Sequence, residues 1–277
     1  MEKPLSAKII IVAGARPNFM KVAPIIWDLQ QRSFTDFALV HTGQHYDYAM
    51  SSVFFEELEI PEPDYFLEVG SGSHGEQTAK IMMAFEKVCL EAKPQIVVVV
   101  GDVNSTVACA LVARKLHIHV AHVESGLRSF DREMPEEINR LATDAISDYL
   151  FVTEPSGLEN LRNEGKSDEE VFYCGNLMID TLFFQRSKIN NDRSEHAPEG
   201  DFGVVTLHRP SNVDNAEKLT EIISALVEVS KTLPLVFPIH PRTRNHVGQF
   251  NLQETLESGN ILMLSPKNAP SSPSSEL

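Results

Sequence analysis

Cysteine and tryptophan are scarce: three of the one and one of the other in 277 residues. Cys89, Cys109 and Cys174 form no CxxC pair and no metal-ligand spacing. An odd and sparse set of thiols excludes a disulfide scaffold and favours a reducing compartment. Long apolar runs are missing too, since no stretch approaches the ~18 uninterrupted apolar residues that span a bilayer. The opening MEKPLSAKIIIVAG holds a single strand-length apolar run, without the core or cleavage site of a signal peptide. A soluble, cytoplasmic protein is expected. Positive charge is short, with 24 Lys and Arg against 39 Asp and Glu and a net charge of −15. That balance excludes nonspecific binding to nucleic acid or to acidic membranes. A small phosphorylated ligand stays compatible, because it needs only local positive charge. Neither a GxGxxG fingerprint nor a Walker A loop occurs, so NAD and ATP lose their usual support.

What is present is a steady alternation of two patterns. KIIIVAG (8–14), FALVHTG (37–43), QIVVVVGD (95–102), HVAHVESG (119–126), DYLFVTE (148–154) and EEVFYCGN (169–176) read as strands. Their near-continuous apolar character suits a parallel sheet covered on both faces. Between them APIIWDLQQR, HGEQTAKIMMAFEKVCLEA and VNSTVACALVARKL read as helices. The pattern predicts an α/β fold with a doubly wound parallel sheet over residues 1–185.

NLMIDTLFFQRSK continues as a helix into a polar, Pro- and Gly-bearing stretch, so a linker is expected over 186–200. The pattern then restarts, with FGVVTLHR (202–209), PLVFPIHPRTR (234–244) and NILMLSP (260–266) as strands and NAEKLTEIISALVEVSKTL as a helix. A second Rossmann-like domain over 201–265 falls short of the ~100–150 residues of a typical domain. It is expected to be incomplete, and residues 266–277, PKNAPSSPSSEL, to be a disordered tail without core-forming content.

Polar residues collect where strands end, which is where ligands bind in open α/β sheets. GARPNFMKVAP (14–24) puts Arg16 and Lys21 beside a helix N-terminus, where free N–H groups and the dipole favour an anion. HTGQHYD (41–47) offers Gln44, His45 and Asp47 to the same edge. VVVVGDVNSTVACAL (97–111) ends its strand on Asp102; a helix cap is the other reading, with Asn104 and Ser105 as competing caps. HVESGLRSFDREMPEEINR (122–140) carries Glu124 past a strand end, with Glu136 and Glu137 downstream. A carboxylate there needs a partner or a raised pKa, and Arg128 is one available partner. Alternatively Asp102, Glu124 and Glu136 share one crevice, where neighbouring carboxylates push their pKa values apart and supply an acid and a base. TLHRPSNVDN (206–215) and PIHPRTR (238–244) each follow a strand with His and then Arg, a pairing suited to a phosphate-bearing ligand and proton transfer.

GARPNFMK, TGQHYD, GDVNST, HVESGLRS, MPEEINR, TLHRPSNVD and HPRT, in this order, make the chain resemble the non-hydrolysing UDP-N-acetylglucosamine (UDP-GlcNAc) 2-epimerases from about residue 8 to about residue 265. The resemblance implies the glycosyltransferase-B architecture, two Rossmann-like domains with the active site in the cleft between them. It implies interconversion of UDP-GlcNAc and UDP-N-acetylmannosamine (UDP-ManNAc) with neither NAD nor metal as cofactor. UDP would be eliminated to a 2-acetamidoglucal and re-added, with C2 inverted. By resemblance, Asp102, Glu124, Glu136 and His208 hold the acid/base positions. Arg16 and Lys21 hold nucleotide contacts, and Gln44, His45, Arg209 and His240 count as substrate-binding. The family's further nucleotide contacts come from an Asp-Ser-Gly-Gly segment with paired glutamates that this sequence does not contain. A C-terminally truncated member is therefore expected, a homodimer if complete, with nucleic acid and membranes excluded as partners. A hydrolysing 2-epimerase, a related glycosyltransferase-B enzyme and an inactive truncated homologue remain as alternatives.

Overall fold

A computed structural model describes residues 8–43, 55–188 and 198–264. The chain divides into two compact units, Met1–Phe184 and Gln185–Leu277. In the first, β1 (Ile9–Ala13), β2 (Phe37–His41), β3 (Tyr65–Phe66), β4 (Ile96–Val100), β5 (His119–Ser125), β6 (Tyr149–Val152) and β7 (Val171–Tyr173) form one sheet. All its pairs are parallel, in the order β3-β2-β1-β4-β5-β6-β7. The order reverses between β1 and β4, so the sheet's topological switch point lies there.

Helices cover both faces, which is why the strands read as apolar throughout. The helices are α1 (Arg16–Gln31), α2 (His74–Ala92), α3 (Asn104–Lys115), α4 (Pro135–Ile146), α5 (Pro155–Asn163) and α6 (Leu177–Lys188). Ile10 and Val12 of β1 pack with Val97, Val99 and Val120 against Ile81 and Phe85 of α2 and Cys109 of α3. Ile11 and Ala13 turn to the other face, with Leu39, Val100 and Val123, against Phe19, Val22 and Ile26 of α1. Each such fully buried aliphatic side chain contributes about 1.5–3 kcal/mol. Two devices set the ends of α2: Ser73 caps it by accepting from the Glu76 N–H at 3.3 Å, and Lys93 stops it in a left-handed conformation.

The second unit holds a parallel sheet in the order β10-β9-β8, from β8 (Gly203–Val204), β9 (Leu235–Pro238) and β10 (Ile261–Leu264). Its core joins Leu219 and Ile223 of α8 (Ala216–Ser230) to Phe237, Ile239, Val247 and Leu256. Two expected strands prove shorter. FGVVTLHR keeps only Gly203–Val204, and PIHPRTR leaves the sheet at Pro238 and becomes a helix, α9 (Pro241–Gln249). Proline at a first helical position costs no hydrogen bond and its fixed φ suits the helix, so Pro241 begins α9 where a longer strand was expected. The short helices α7 (Pro210–Val213) and α10 (Gln253–Glu257) complete the unit. Among the described residues no helix is long and apolar enough to cross a membrane.

Candidate active site

The chemistry-bearing groups of the first unit collect at the β1/β4 switch point. Asn18, in the first turn of α1, accepts from the N–H groups of Gly14 and Ala15 at 3.0 and 2.9 Å. Its Nδ2 donates to the Val100 carbonyl at 3.2 Å, tying the β1 loop to the end of β4. Gly101 then turns the chain with φ +67°, a conformation that glycine adopts freely. A Cβ here would lie 3.0 Å from Lys21 Nζ, 3.3 Å from Glu124 Oε2 and 3.4 Å from Asn18 Nδ2. The absent side chain makes room for a lysine and a glutamate to meet. Lys21 donates to Glu124, and their side chains are 13% and 20% exposed.

Glu124 is aimed by its backbone. It stands at φ +72° where β5 bulges against β6 between Val123 and Ser125. A glutamate in this region costs about 1–3 kcal/mol, and such strain collects at functional sites. Of the two readings of Glu124, the pairing with Arg128 does not form. Arg128 turns away, with Nη2 at 2.7 Å from Asp144 and 2.6 Å from Glu164.

Asp102 follows Gly101 directly, so both carboxylates sit at this edge. Arg140 of α4 donates to Asp102 Oδ2 from Nε at 3.0 Å and from Nη2 at 2.5 Å. The Asp102 carbonyl accepts from Asn139 Nδ2 at 2.8 Å. The capping alternative fails in full: the residue at the cap of α3 is Val103, without any side-chain cap bond. Asn104 and Ser105 are no caps either, since both already lie inside the helix. Asn104 instead donates to Gln77 Oε1 at 2.8 Å and meets His74 Nδ1 at 3.1 Å.

The adjacent glutamates of MPEEINR separate by role. Glu137 is buried, 2% exposed, and accepts from the Ser129 and Phe130 N–H groups at 2.9 and 3.1 Å and from Arg140 Nη1 at 2.9 Å. Burial pushes its carboxyl up, but those donors outweigh burial and hold it below the ordinary value. Glu136 is half-buried and stands three and four residues before Asn139 and Arg140, on the helix face that meets Asp102. Asp102 and Glu124 thus share one sheet edge, at the ends of β4 and β5, while Glu136 stands on the neighbouring helix α4.

Beneath that edge lies a buried network that sequence reasoning missed. His122 and Asp144 have side chains 0% and 1% exposed. His122 Nδ1 meets Asp144 Oδ1 at 2.6 Å and Nε2 meets the Gly101 carbonyl at 2.8 Å. Burial would raise the Asp144 carboxyl, yet His122, Arg128 and the Gly126 N–H hold it below the ordinary value. His122 reads as one more core position in an apolar strand, and Asp144 stands twenty-two residues away on a helix, so no local signal pairs them. An open cavity of about 680 Å³ borders the site on the α5 side. Its charged walls include Arg128 and Arg140, both already paired.

Within the second unit, the rings of His208 and His240 stand 5.9 Å apart. His240 caps α9, its Nδ1 accepting from the Arg242 N–H at 3.2 Å. Thr243 of the same helix donates to the Leu207 carbonyl, fixing the segment that precedes His208. Arg209 is exposed at the start of α7. Arg16 is the first residue of α1, and its side chain lies outside the described residues, as do Gln44, His45 and Asp47 entirely. Among the described residues no His, Cys, Asp and Glu side chains group to hold a metal ion.

Comparison with known proteins adds an independent line. A profile of the family described as UDP-N-acetylglucosamine 2-epimerase matches residues 28–270. The UDP-N-acetylglucosamine 2-epimerase of Methanocaldococcus jannaschii is 45% identical over 261 residues, 91% of this chain and 70% of that protein. The UDP-2,3-diacetamido-2,3-dideoxy-D-glucuronate 2-epimerase of Pseudomonas aeruginosa is 42% identical over 249 residues, 89% of this chain and 70% of that protein. The crystal structure of the M. jannaschii enzyme in complex with UDP-GlcNAc and UDP superposes with a TM-score of 0.76 at 42% identity, covering 93% of this chain and 73% of that one. The UDP-GlcNAc 2-epimerase of Neisseria meningitidis, bound to UDP-GlcNAc, superposes with a TM-score of 0.80 at 28% identity, covering 94% and 72%. With its parallel sheets and its carboxylates at the switch point, this chain belongs to the UDP-N-acetylglucosamine 2-epimerase family.

Proposed function

We propose that the protein interconverts UDP-GlcNAc and UDP-ManNAc by inverting C2, without hydrolysis. The observation that carries this reading is the gathering of Asp102 and Glu124, with Lys21, at the β1/β4 edge. C2 of the sugar is a weak carbon acid, so its inversion needs one group to take the proton and another to return one on the opposite face. A carboxylate removes the C2 proton, the C1–O bond breaks, its electron pair leaves with UDP, and a C1=C2 double bond forms. The return step adds the UDP oxygen to C1 and a proton to the other face of C2. Asp102, Glu124, Glu136 and His208 are the groups proposed for proton transfer. Lys21, one turn into α1, with Arg16 at its first residue, would offset charge on the departing diphosphate, as cations beside the free N–H groups of a helix N-terminus do. Gln44, His45, Arg209 and His240 are proposed as substrate contacts.

We infer that the protein is a homodimer. Met83 and Leu90, both exposed and seven residues apart on α2, form an apolar stripe that supports this. A cytoplasmic setting is supported by three free cysteines, two of them buried.

Proton NMR of the purified protein with UDP-GlcNAc tests the reading, through the sugar anomeric signals. UDP-ManNAc should accumulate to a steady ratio with UDP-GlcNAc. Release of free N-acetylmannosamine and UDP would replace this reading with the hydrolysing one. A parallel incubation with UDP-2,3-diacetamido-2,3-dideoxy-D-glucuronate checks the substrate of the Pseudomonas relative. Turnover of that sugar alone would overturn UDP-GlcNAc as substrate.

A further inference from the structure

We propose that His122 and Asp144 are positioning residues, a buried brace that holds the turns carrying Asp102 and Glu124 in one fixed arrangement. The inference rests on the epimerase reading above. His122 donates from Nε2 to the carbonyl of Gly101, the residue before Asp102. Asp144 accepts from the N–H of Gly126, two residues after Glu124, at 2.9 Å. The two side chains join at 2.6 Å, so one short hydrogen-bonded path runs from the Asp102 turn to the Glu124 turn. The Gly101 N–H donates to the Val123 carbonyl at 3.0 Å and closes the loop on its open side.

The chemistry of the contacts argues for a purpose beyond packing. A carbonyl only accepts, so His122 Nε2 donates to Gly101, and its Nδ1 is turned to the Asp144 carboxylate. Arg128, its side chain 1% exposed, sets its guanidinium against the same carboxylate at 2.7 Å. Charges at this depth are usually no more stabilising than well-packed apolar residues, and their best-attested benefit is a unique local geometry. Glu124 is the residue that needs it, being held at φ +72°, a conformation that persists only where the surroundings over-determine it. Neither His122 nor Asp144 reaches the ligand side of the edge, so neither exchanges a proton with substrate.

Two shape-related substitutions separate the halves of the brace. In His122→Gln the amide nitrogen falls near the former Nε2 and keeps the Gly101 contact. In His122→Asn it falls near Nδ1 and keeps Asp144 while releasing Gly101. Misplacing a reacting group by about 1 Å costs roughly 100-fold. UDP-GlcNAc turnover in His122→Asn should therefore drop ~100-fold in kcat with KM within about threefold, and His122→Gln should recover at least ~10-fold of that loss. In an Asp102→Asn background, the same His122→Asn change should cost less than about threefold, because the Gly101 contact it releases acts through Asp102, which is already disabled. Asp144→Asn, which preserves shape and removes the anion, serves in the same cycle should His122→Asn fail to fold. Equal losses in the two His122 variants, or an undiminished loss in the Asp102→Asn background, would overturn the proposal. A wild-type protein that leaves UDP-GlcNAc unchanged would instead defeat the epimerase reading, which separates the two failures.

Discussion

Arg140 grips Asp102 through Nε at 3.0 Å and Nη2 at 2.5 Å, while its Nη1 holds Glu137 at 2.9 Å. One guanidinium therefore fixes a carboxylate at the sheet edge and a buried one on its own helix. Burial would lower the Arg140 pKa, but Asp102 and Glu137 more than reverse that, and the group is a permanent cation.

Arg140→Met should leave Glu137 buried without its cation. Removing one partner of a buried pair costs about 3–5 kcal/mol, and the partial exposure of Arg140 places the expected loss near the lower end. Urea unfolding measures it. Arg140→Lys should restore only part of the stability, because a point charge cannot span both carboxylates.

Gly101→Ala should disturb the site where Gly165→Ala does not. Both glycines sit at positive φ, +67° and +86°, so both substitutions carry the left-handed penalty of about 1–2 kcal/mol. Only at Gly101 would the new Cβ meet Lys21, Glu124 and Asn18; at Gly165 it meets nothing within 4 Å. Turnover of UDP-GlcNAc should fall at least ~10-fold in Gly101→Ala and remain near wild type in Gly165→Ala, since displaced catalytic groups lose rate steeply.

The first sheet was largely legible because strands covered on both faces announce themselves as apolar runs, and α2 carries its own start and stop in Ser73 and Lys93. The second unit was less so. HR and HPRTR follow apolar residues without a break, and only Pro241 marked the change from strand to helix. At the site, the sequence motifs pointed to Asp102 and Glu124 at the ends of β4 and β5, because polar residues after apolar runs stand out. Their partners were hidden. Lys21 reaches Glu124 across 103 residues and Arg140 reaches Asp102 across 38, and no local pattern encodes such distances. The nearer candidate, Arg128, was claimed by Asp144 and Glu164 instead. The bulge that turns Glu124 toward Lys21 likewise depends on the neighbouring strand β6 and leaves no mark in HVESG.

Acid should expose the buried carboxylates. Asp144 and Glu137 titrate lower in the folded protein than their ordinary values of 3.8 and 4.5. Their stabilisation is complete above those ordinary values and declines as pH falls through the lower folded ones. Urea midpoints taken from pH 7 downward should hold until about pH 4.5 and then drop. Asp144→Asn, already less stable at neutral pH, should show a shallower drop below pH 3.8.

Thiol chemistry should distinguish the three cysteines. Burial pushes the Cys89 thiol up to about 12 and raises that of Cys109 as well, so both stay protonated and shielded. Cys174 is exposed. A thiol reagent at pH 8 should modify Cys174 alone in the native protein and all three after unfolding, which peptide mass analysis would read.

We propose that Asp102 and Glu124 exchange the proton at C2. The most direct measurement of this exchange is proton NMR of UDP-GlcNAc incubated with the protein in deuterium oxide. Wild-type protein should replace the C2 hydrogen with deuterium in both UDP-GlcNAc and UDP-ManNAc. Asp102→Asn and Glu124→Gln should slow that exchange by ~10²–10⁴-fold, the usual contribution of a proton-transfer group, while UDP-GlcNAc still binds. Epimerisation without deuterium at C2, or wash-in at the wild-type rate in both variants, would contradict the account.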